Sequence, residues 1–224
     1  AGALSVSELM QETLARIELV NPKVNALVNI LNKEACEKLT SADCPLGGAL
    51  GGVPMAIKDL ANVKGFKTTE GSPLYSERVA RKDDQMVARL RAAGALFIGK
   101  TNTPEFGLGS NTFNPVYGKT KNPYDLTRTC GGSSGGAAVA LATRMLSISD
   151  GSDMMGSLRN PAAWNNVYGL RPTWGLVPPE PSGEIFLSQL STLGPMARSP
   201  KDLALLLDVQ ANHFDNKSYG AKCT

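Results

Sequence analysis

The run Gly51-Gly52-Val53-Pro54-Met55-Ala56-Ile57-Lys58-Asp59 decides the fold. A glycine- and proline-rich stretch leads into it, and residues 53–57 are apolar at every position, with the length and flanks of a buried strand. Lys58 then stands at a strand end. Outward from here, residues 84–94 read as a helix closed by Gly94, and residues 95–98 as a second buried strand running into Gly99-Lys100-Thr101-Asn102. Residues 135–145 form an alanine-rich helix followed by a strand at 146–148. Residues 199–210 form another helix, with Ser199 as N-cap and Pro200 at its first position. Near the start, residues 5–20 read as an amphipathic helix. Ser5 and Glu8 supply a capping box, Val6, Leu9, Met10, Leu14 and Ile17 share one face, and Asn21-Pro22 is the expected stop. Helices alternating with short apolar strands predict an α/β fold, a mixed β-sheet flanked by helices. No repeat, low-complexity tract or linker divides the chain, so residues 1–224 are read as a single domain.

Composition excludes several function classes. With 42% hydrophobic and 19% charged residues, the 224-residue chain is that of an ordinary globular protein. Its net charge of +3 is small and its basic residues are interspersed with acidic ones, so no stripe follows a phosphate backbone and no nucleic-acid partner is expected. No apolar run approaches the roughly 20 residues a membrane span needs, and the start lacks a signal-peptide layout. A soluble, cytoplasmic protein is the expectation. Cys36, Cys44, Cys130 and Cys223 lack C-x-x-C spacing and read as free thiols, so neither a metal nor any cofactor is called for. The single histidine, His213, gives any histidine-dependent mechanism one chance.

Two glycine-serine clusters join a serine to exposed backbone N–H groups: Gly131-Gly132-Ser133-Ser134-Gly135-Gly136, directly before a helix, and Gly151-Ser152-Asp153-Met154-Met155-Gly156-Ser157-Leu158-Arg159-Asn160-Pro161. Such loops suit a phosphate or a developing oxyanion, although glycine-serine turns are as often plain connections. The run 94–101 formally matches the phosphate loop G-x-x-x-x-G-K-[ST]. Its Ala-Leu-Phe-Ile interior reads as the strand itself, so Lys100 is not expected to bind phosphate. Residues 131–135 match G-x-S-x-G, the nucleophile elbow of α/β-hydrolases, which would pair Ser133 with His213, a residue in a terminal polar segment. Without histidine, a serine needs another base, and a lysine made neutral by burial is the remaining candidate. Lys58 is the lysine that ends a buried strand, though a strand-end lysine more often simply reaches solvent.

In order, the segments 51–59, Gly99-Lys100-Thr101-Asn102-Thr103-Pro104-Glu105-Phe106, Arg128-Thr129-Cys130-Gly131-Gly132-Ser133-Ser134-Gly135-Gly136 and 153–162 resemble the amidase signature family. The resemblance runs from about residue 5 to residue 210. It implies a hydrolase that cleaves linear amide C–N bonds through an acyl-enzyme on Ser157, with Ser133 bridging to the base Lys58, a Ser-Ser-Lys triad. It also implies a cis peptide between Gly132 and Ser133, and an oxyanion hole from the backbone N–H groups of Met154, Met155, Gly156 and Ser157. The expected partner is a small-molecule amide, with a homodimer left open. Two departures stand out: Met155 occupies a position where the family has glycine, and family members are about twice this length, so the chain reads as an N-terminal, catalytic portion. These departures motivate two alternatives, a partner-dependent amidotransferase subunit and a non-catalytic amidase-like remnant. Burial supplies one more expectation: the helices read here look too few to cover a large two-faced sheet, so further strands and helices are expected in the intact protein.

Overall fold

The structure, a computed structural model, describes residues 4–40, 47–180 and 189–211. In chain order the helices are α1 (Val6–Val24), α2 (Lys33–Lys38), α3 (Gln85–Ala92), α4 (Gly135–Ala142), α5 (Arg159–Trp164) and α6 (Pro200–Ala211). The strands are β1 (Leu27–Val28), β2 (Pro54–Lys58), β3 (Leu96–Thr101), β4 (Phe113–Asn114), β5 (Gly118–Lys119), β6 (Ile148–Asp153), β7 (Tyr168–Gly169) and β8 (Thr192–Ala197). They form a mixed sheet ordered β1-β3-β2, a β4-β5 hairpin, and an antiparallel sheet ordered β6-β8-β7. The expected mixed α/β architecture is therefore present, divided into small sheets.

The two apolar runs are the paired centre of the first sheet. β2 and β3 run parallel, from Pro54 opposite Leu96 to Lys58 opposite Thr101, with one irregularity between Met55 and Ala56. Every residue of both strands is buried. Alternation sorts them onto two cores. Ala56, Leu96 and Ile98 pack with Met10 and Ile17 of α1 and with the alanines of α4. Met55, Ile57 and Phe97 pack with Met86, Val87 and Leu90 of α3 and Leu206 of α6. Contrary to the expectation of too few helices, this small sheet is thus covered on both faces among the described residues.

Local chemistry explains the ends of the elements, and corrects two of them. α1 opens with the expected capping box, Ser5 N–H to the Glu8 carboxylate at 2.8 Å and Glu8 N–H to Ser5 Oγ at 3.2 Å. It then runs through Asn21 and Pro22 to Val24. A proline in the last turn forfeits one ladder bond instead of breaking the helix, and the end is rebuilt around it. Asn25 adopts φ 53 and donates its N–H to the Asn21 carbonyl, while Asn21 Oδ1 accepts the N–H groups of Ala26 and Leu27 at 2.9 Å each. The strand expected at 146–148 instead spans Ile148–Asp153, so Gly151-Ser152-Asp153 is strand and not loop. Pairing with β8 at six consecutive positions overrides the weak strand preference of Gly and Ser.

α4 lies unusually close to the sheet. A Cβ on Gly136 would stand 2.3 Å from the Asn102 nitrogen and 2.6 Å from the Ala26 oxygen, both main-chain atoms that cannot swing aside. Gly136→Ala is therefore expected to cost about 1–3 kcal/mol, as overpacking does. A urea-unfolding midpoint indistinguishable from that of the parent would show that the helix can back away.

Candidate active site

The end of β2 delivers Lys58 to the start of α4. Its side chain is fully buried, and its Nζ lies 2.7 Å from Ser133 Oγ, 2.9 Å from Ser134 Oγ and 2.9 Å from Ser152 Oγ. Burial pushes the amine down to about 7, against the Asp150 and Asp153 carboxylates, which act to raise it. Desolvation wins here because the charged form would sit far from water. Ser133 is itself buried, and the peptide joining it to Gly132 is cis.

Ser157 comes from the loop after β6. The Ser134 N–H donates to the Ser157 carbonyl at 3.2 Å, which ties the two serine loops together. The expected direct bond between the Ser133 and Ser157 hydroxyls is absent. Among the described residues Ser157 Oγ has no hydrogen-bond partner, and the residue is only partly buried. The loop itself is wound around Asp153, whose carboxylate accepts the N–H of Gly156 at 2.7 Å and of Leu158 at 3.1 Å, and meets Arg159 at 3.0 Å and Arg171 at 3.4 Å. Burial alone would raise the Asp153 carboxyl, but Arg159 and these N–H groups outweigh it and hold it at about 2.

This winding bears on the four backbone donors read from the sequence. The Gly156 N–H is already engaged by Asp153, whereas those of Met154, Met155 and Ser157 have no acceptor among the described residues. Met155 is not strained: the left-handed φ of 119° falls on Gly156, and the Met155 side chain is 83% exposed. The side chain therefore points away from the packed interior.

Sequence reasoning missed Ser134, Ser152 and Asp150. Ser134 and Ser152 touch the amine directly, and Asp150 Oδ1 accepts the Lys58 backbone N–H at 2.9 Å. Asp150, Ser152 and Lys58 share the wall of a cavity of about 310 Å³ with Gln85, Trp174 and Glu180. Only the adjacency of Ser134 to Ser133 could have flagged one of the three beforehand.

The phosphate-loop match is resolved as expected. Lys100 is buried within β3, its Nζ turned to the Ala61 carbonyl, Thr68 and the buried carboxylate of Asp59 at 3.8 Å. Cys36 and Cys130 are free and buried, while Cys44, Cys223 and His213 lie outside the described residues. Among the described residues no cluster of His, Cys, Asp and Glu could hold a metal ion, and no helix is long and apolar enough to cross a membrane.

A buried strand-end lysine surrounded by serine hydroxyls, on a mixed α/β scaffold, is what the family comparison finds as well: the Amidase family model matches residues 8–224, and the chain belongs to that family, the amidase-signature enzymes. Among individual relatives, the amidase-like component of the glutamyl-tRNA(Gln) amidotransferase of Thermus thermophilus is 44% identical over 211 residues, covering 94% of this chain and 44% of that protein. The solved structure of 6-aminohexanoate cyclic dimer hydrolase matches with a TM-score of 0.86 at 35% identity, over 100% of this chain and 46% of that one. Native peptide amidase from Stenotrophomonas maltophilia matches with a TM-score of 0.83 at 34% identity, over 96% of this chain and 46% of that one. The chain thus spans about half the length of the curated relatives it matches.

Proposed function

We propose that residues 1–224 belong to one domain that carries the acyl-transfer centre of an amide hydrolase, with Ser157 as nucleophile, Ser133 as proton bridge and Lys58 as base. The observation that carries this reading is the buried Lys58 amine, held at about 7 and 2.7 Å from Ser133 Oγ. A general base works best with a proton affinity near the operating pH. The surroundings also orient it. A neutral amine has two N–H donors and one lone pair. The Ser134 hydroxyl faces the Ser152 carbonyl at 3.3 Å and can donate its proton there, so it accepts one amine hydrogen. Ser152 Oγ takes the other, and the lone pair is left for the Ser133 hydroxyl.

In the reaction, Ser157 Oγ bonds to the amide carbonyl carbon while its proton passes to Ser133 and that of Ser133 passes to Lys58. The oxyanion is met by unengaged backbone donors of Met154, Met155 and Ser157. The C–N bond then breaks as the proton returns through Ser133 to the leaving amine, and water hydrolyses the acyl-enzyme. Because Ser157 Oγ is not bonded to Ser133 in the unliganded structure, closing that contact is assigned to substrate binding.

A fluorophosphonate probe tests the nucleophile. Labelling is expected at Ser157, with a rate that rises as pH increases through about 7, since deprotonation of Lys58 creates the base. A folded protein that stays unlabelled at pH 8 would sink the reading, and labelling at Ser133 would favour the α/β-hydrolase alternative with His213. The identity to an amidotransferase component favours a second reading, in which the amide is cleaved only with partner subunits present. Hydrolysis of a simple linear amide by the isolated full-length protein separates the two.

A further inference from the structure

β2 and β6 meet at two sheet edges without a ladder. The first sheet ends at β2 and the second at β6, and among the described residues no backbone hydrogen bond joins them. Side chains of β6 bridge the gap instead. Ser149 Oγ approaches the Ala56 carbonyl at 3.4 Å, and Asp150 Oδ1 takes the Lys58 N–H at 2.9 Å. Asp150 is 1% exposed. A carboxylate is an expensive group to bury merely to satisfy one N–H, which an asparagine or a carbonyl would satisfy as well.

The charges around it indicate what the carboxylate adds. Facing the Lys58 side chain are Asp150 and Asp153, both on β6. Asp153 is already matched by Arg159 and Arg171. Lys100 on β3 is paired with Asp59, which follows β2, and Lys100 also lies within the electrostatic reach of Asp150. Asp150 is thus the carboxylate beside Lys58 that no arginine neutralises.

We propose that Asp150 is a positioning residue for Lys58, an ionised carboxylate that both anchors the end of β2 to β6 and sets the charge balance around the buried amine. Burial pushes the Asp150 carboxyl up, opposed by the Lys58 N–H and by the Lys100 and Lys58 charges. Burial likewise pushes the Lys58 amine down, and Asp150 is the first of the groups that resist it. Without Asp150 the amine would still touch its three serines, but it would be a weaker base. The inference rests on the reading of Lys58 as the base only for its consequence in catalysis.

The experiment follows the groups themselves, in the full-length protein carrying ¹³C-labelled lysine or aspartate. In Asp150→Asn the amide oxygen can keep the bond to the Lys58 N–H while the charge is gone. The Lys58 Cε resonance is then expected to titrate with a midpoint about one pH unit or more below that of the parent, the size an opposite charge at close range produces. An unchanged midpoint in the folded variant overturns the proposal. Should the variant not fold, the Asp150 carboxyl resonance of the parent decides: a carboxylate at pH 8 supports the proposal, and a protonated acid there overturns it. Neither readout needs an amide substrate, so a protein without hydrolytic activity would refute the assignment of Ser157 and leave this test standing.

Discussion

Replacing Lys58 with methionine is expected to slow acylation of Ser157 by on the order of 10²–10⁴-fold, the range that a positioned general base supplies, while leaving the fold intact. Methionine keeps a long unbranched side chain in a site closed to solvent, so no cavity opens and no clash is forced. Removing the amine also removes the cost of desolvating it, which offsets the hydrogen bonds that Ser133, Ser134 and Ser152 lose. The measurement is the burst of acyl-enzyme or probe adduct on Ser157, paired with a circular-dichroism spectrum and an unfolding curve. A methionine variant that is folded and acylates within a factor of about three of the parent would remove Lys58 from the mechanism. The pH profile adds a check on the sign. The parent loses rate as pH falls through about 7, because the amine becomes protonated. The methionine variant should have a low rate without that step.

How far this site was legible depends on whether the signal was local. β2 and β3 are continuous apolar runs, and a run buried on both faces needs no partner to be recognised. Lys58 could be placed at its strand end for the same reason, and Ser133 and Ser157 stand in clusters of glycine and serine that announce themselves. What was not legible is contact between distant segments. Ser152 and Asp150 reach Lys58 from more than 90 positions away, and they do so because β6 continues through Gly151 into Asp153. Read locally, that glycine-serine text is a loop, and only the ladder with β8 makes it a strand. Pro22 misled for a related reason. Proline is a reliable stop in a helix interior, but the side chain of Asn21 and the left-handed Asn25 provide a cap that lets the last turn absorb it.

The same distinction separates a family pattern from the chemistry at each of its positions. Four consecutive N–H groups were read as an oxyanion hole, yet one of them, on Gly156, donates to Asp153. Met155 was the departure that put the loop in doubt. The position that requires glycine is its neighbour, where φ is 119°, and an L side chain at 155 meets no backbone penalty. The substitution therefore changes what a ligand would touch on the loop's outer surface, because Met155 is exposed, and not how the loop is wound.

Asp153 carries that winding, and Asp153→Ala is expected to be the most damaging substitution outside the proposed triad. The carboxylate is completely buried and organises the loop from inside, holding N–H groups of Gly156 and Leu158 and both Arg159 and Arg171. Arg159 is 55% and Arg171 32% exposed at their side chains, so both guanidiniums can return to water, and the exposed portions of these ion pairs are worth little. The loss falls on Gly156 and Leu158, both buried, whose N–H groups would be stranded without an acceptor. Two such groups at about 1–3 kcal/mol each give roughly 2–5 kcal/mol of lost stability. The loop has a cheaper escape, which is to open and let water reach those groups. Opening would displace Ser157, which lies directly between the two anchored N–H groups, so the alanine variant should lose probe labelling at Ser157 even under conditions where it remains folded. Asp153→Asn retains one acceptor oxygen and should fall between the two in both respects. Urea unfolding and labelling measured on the same samples check the expectation. An alanine variant within about 1 kcal/mol of the parent that still labels at the parental rate would mean that the loop is held by its connections to β6 and α5, and that Asp153 does not position the nucleophile.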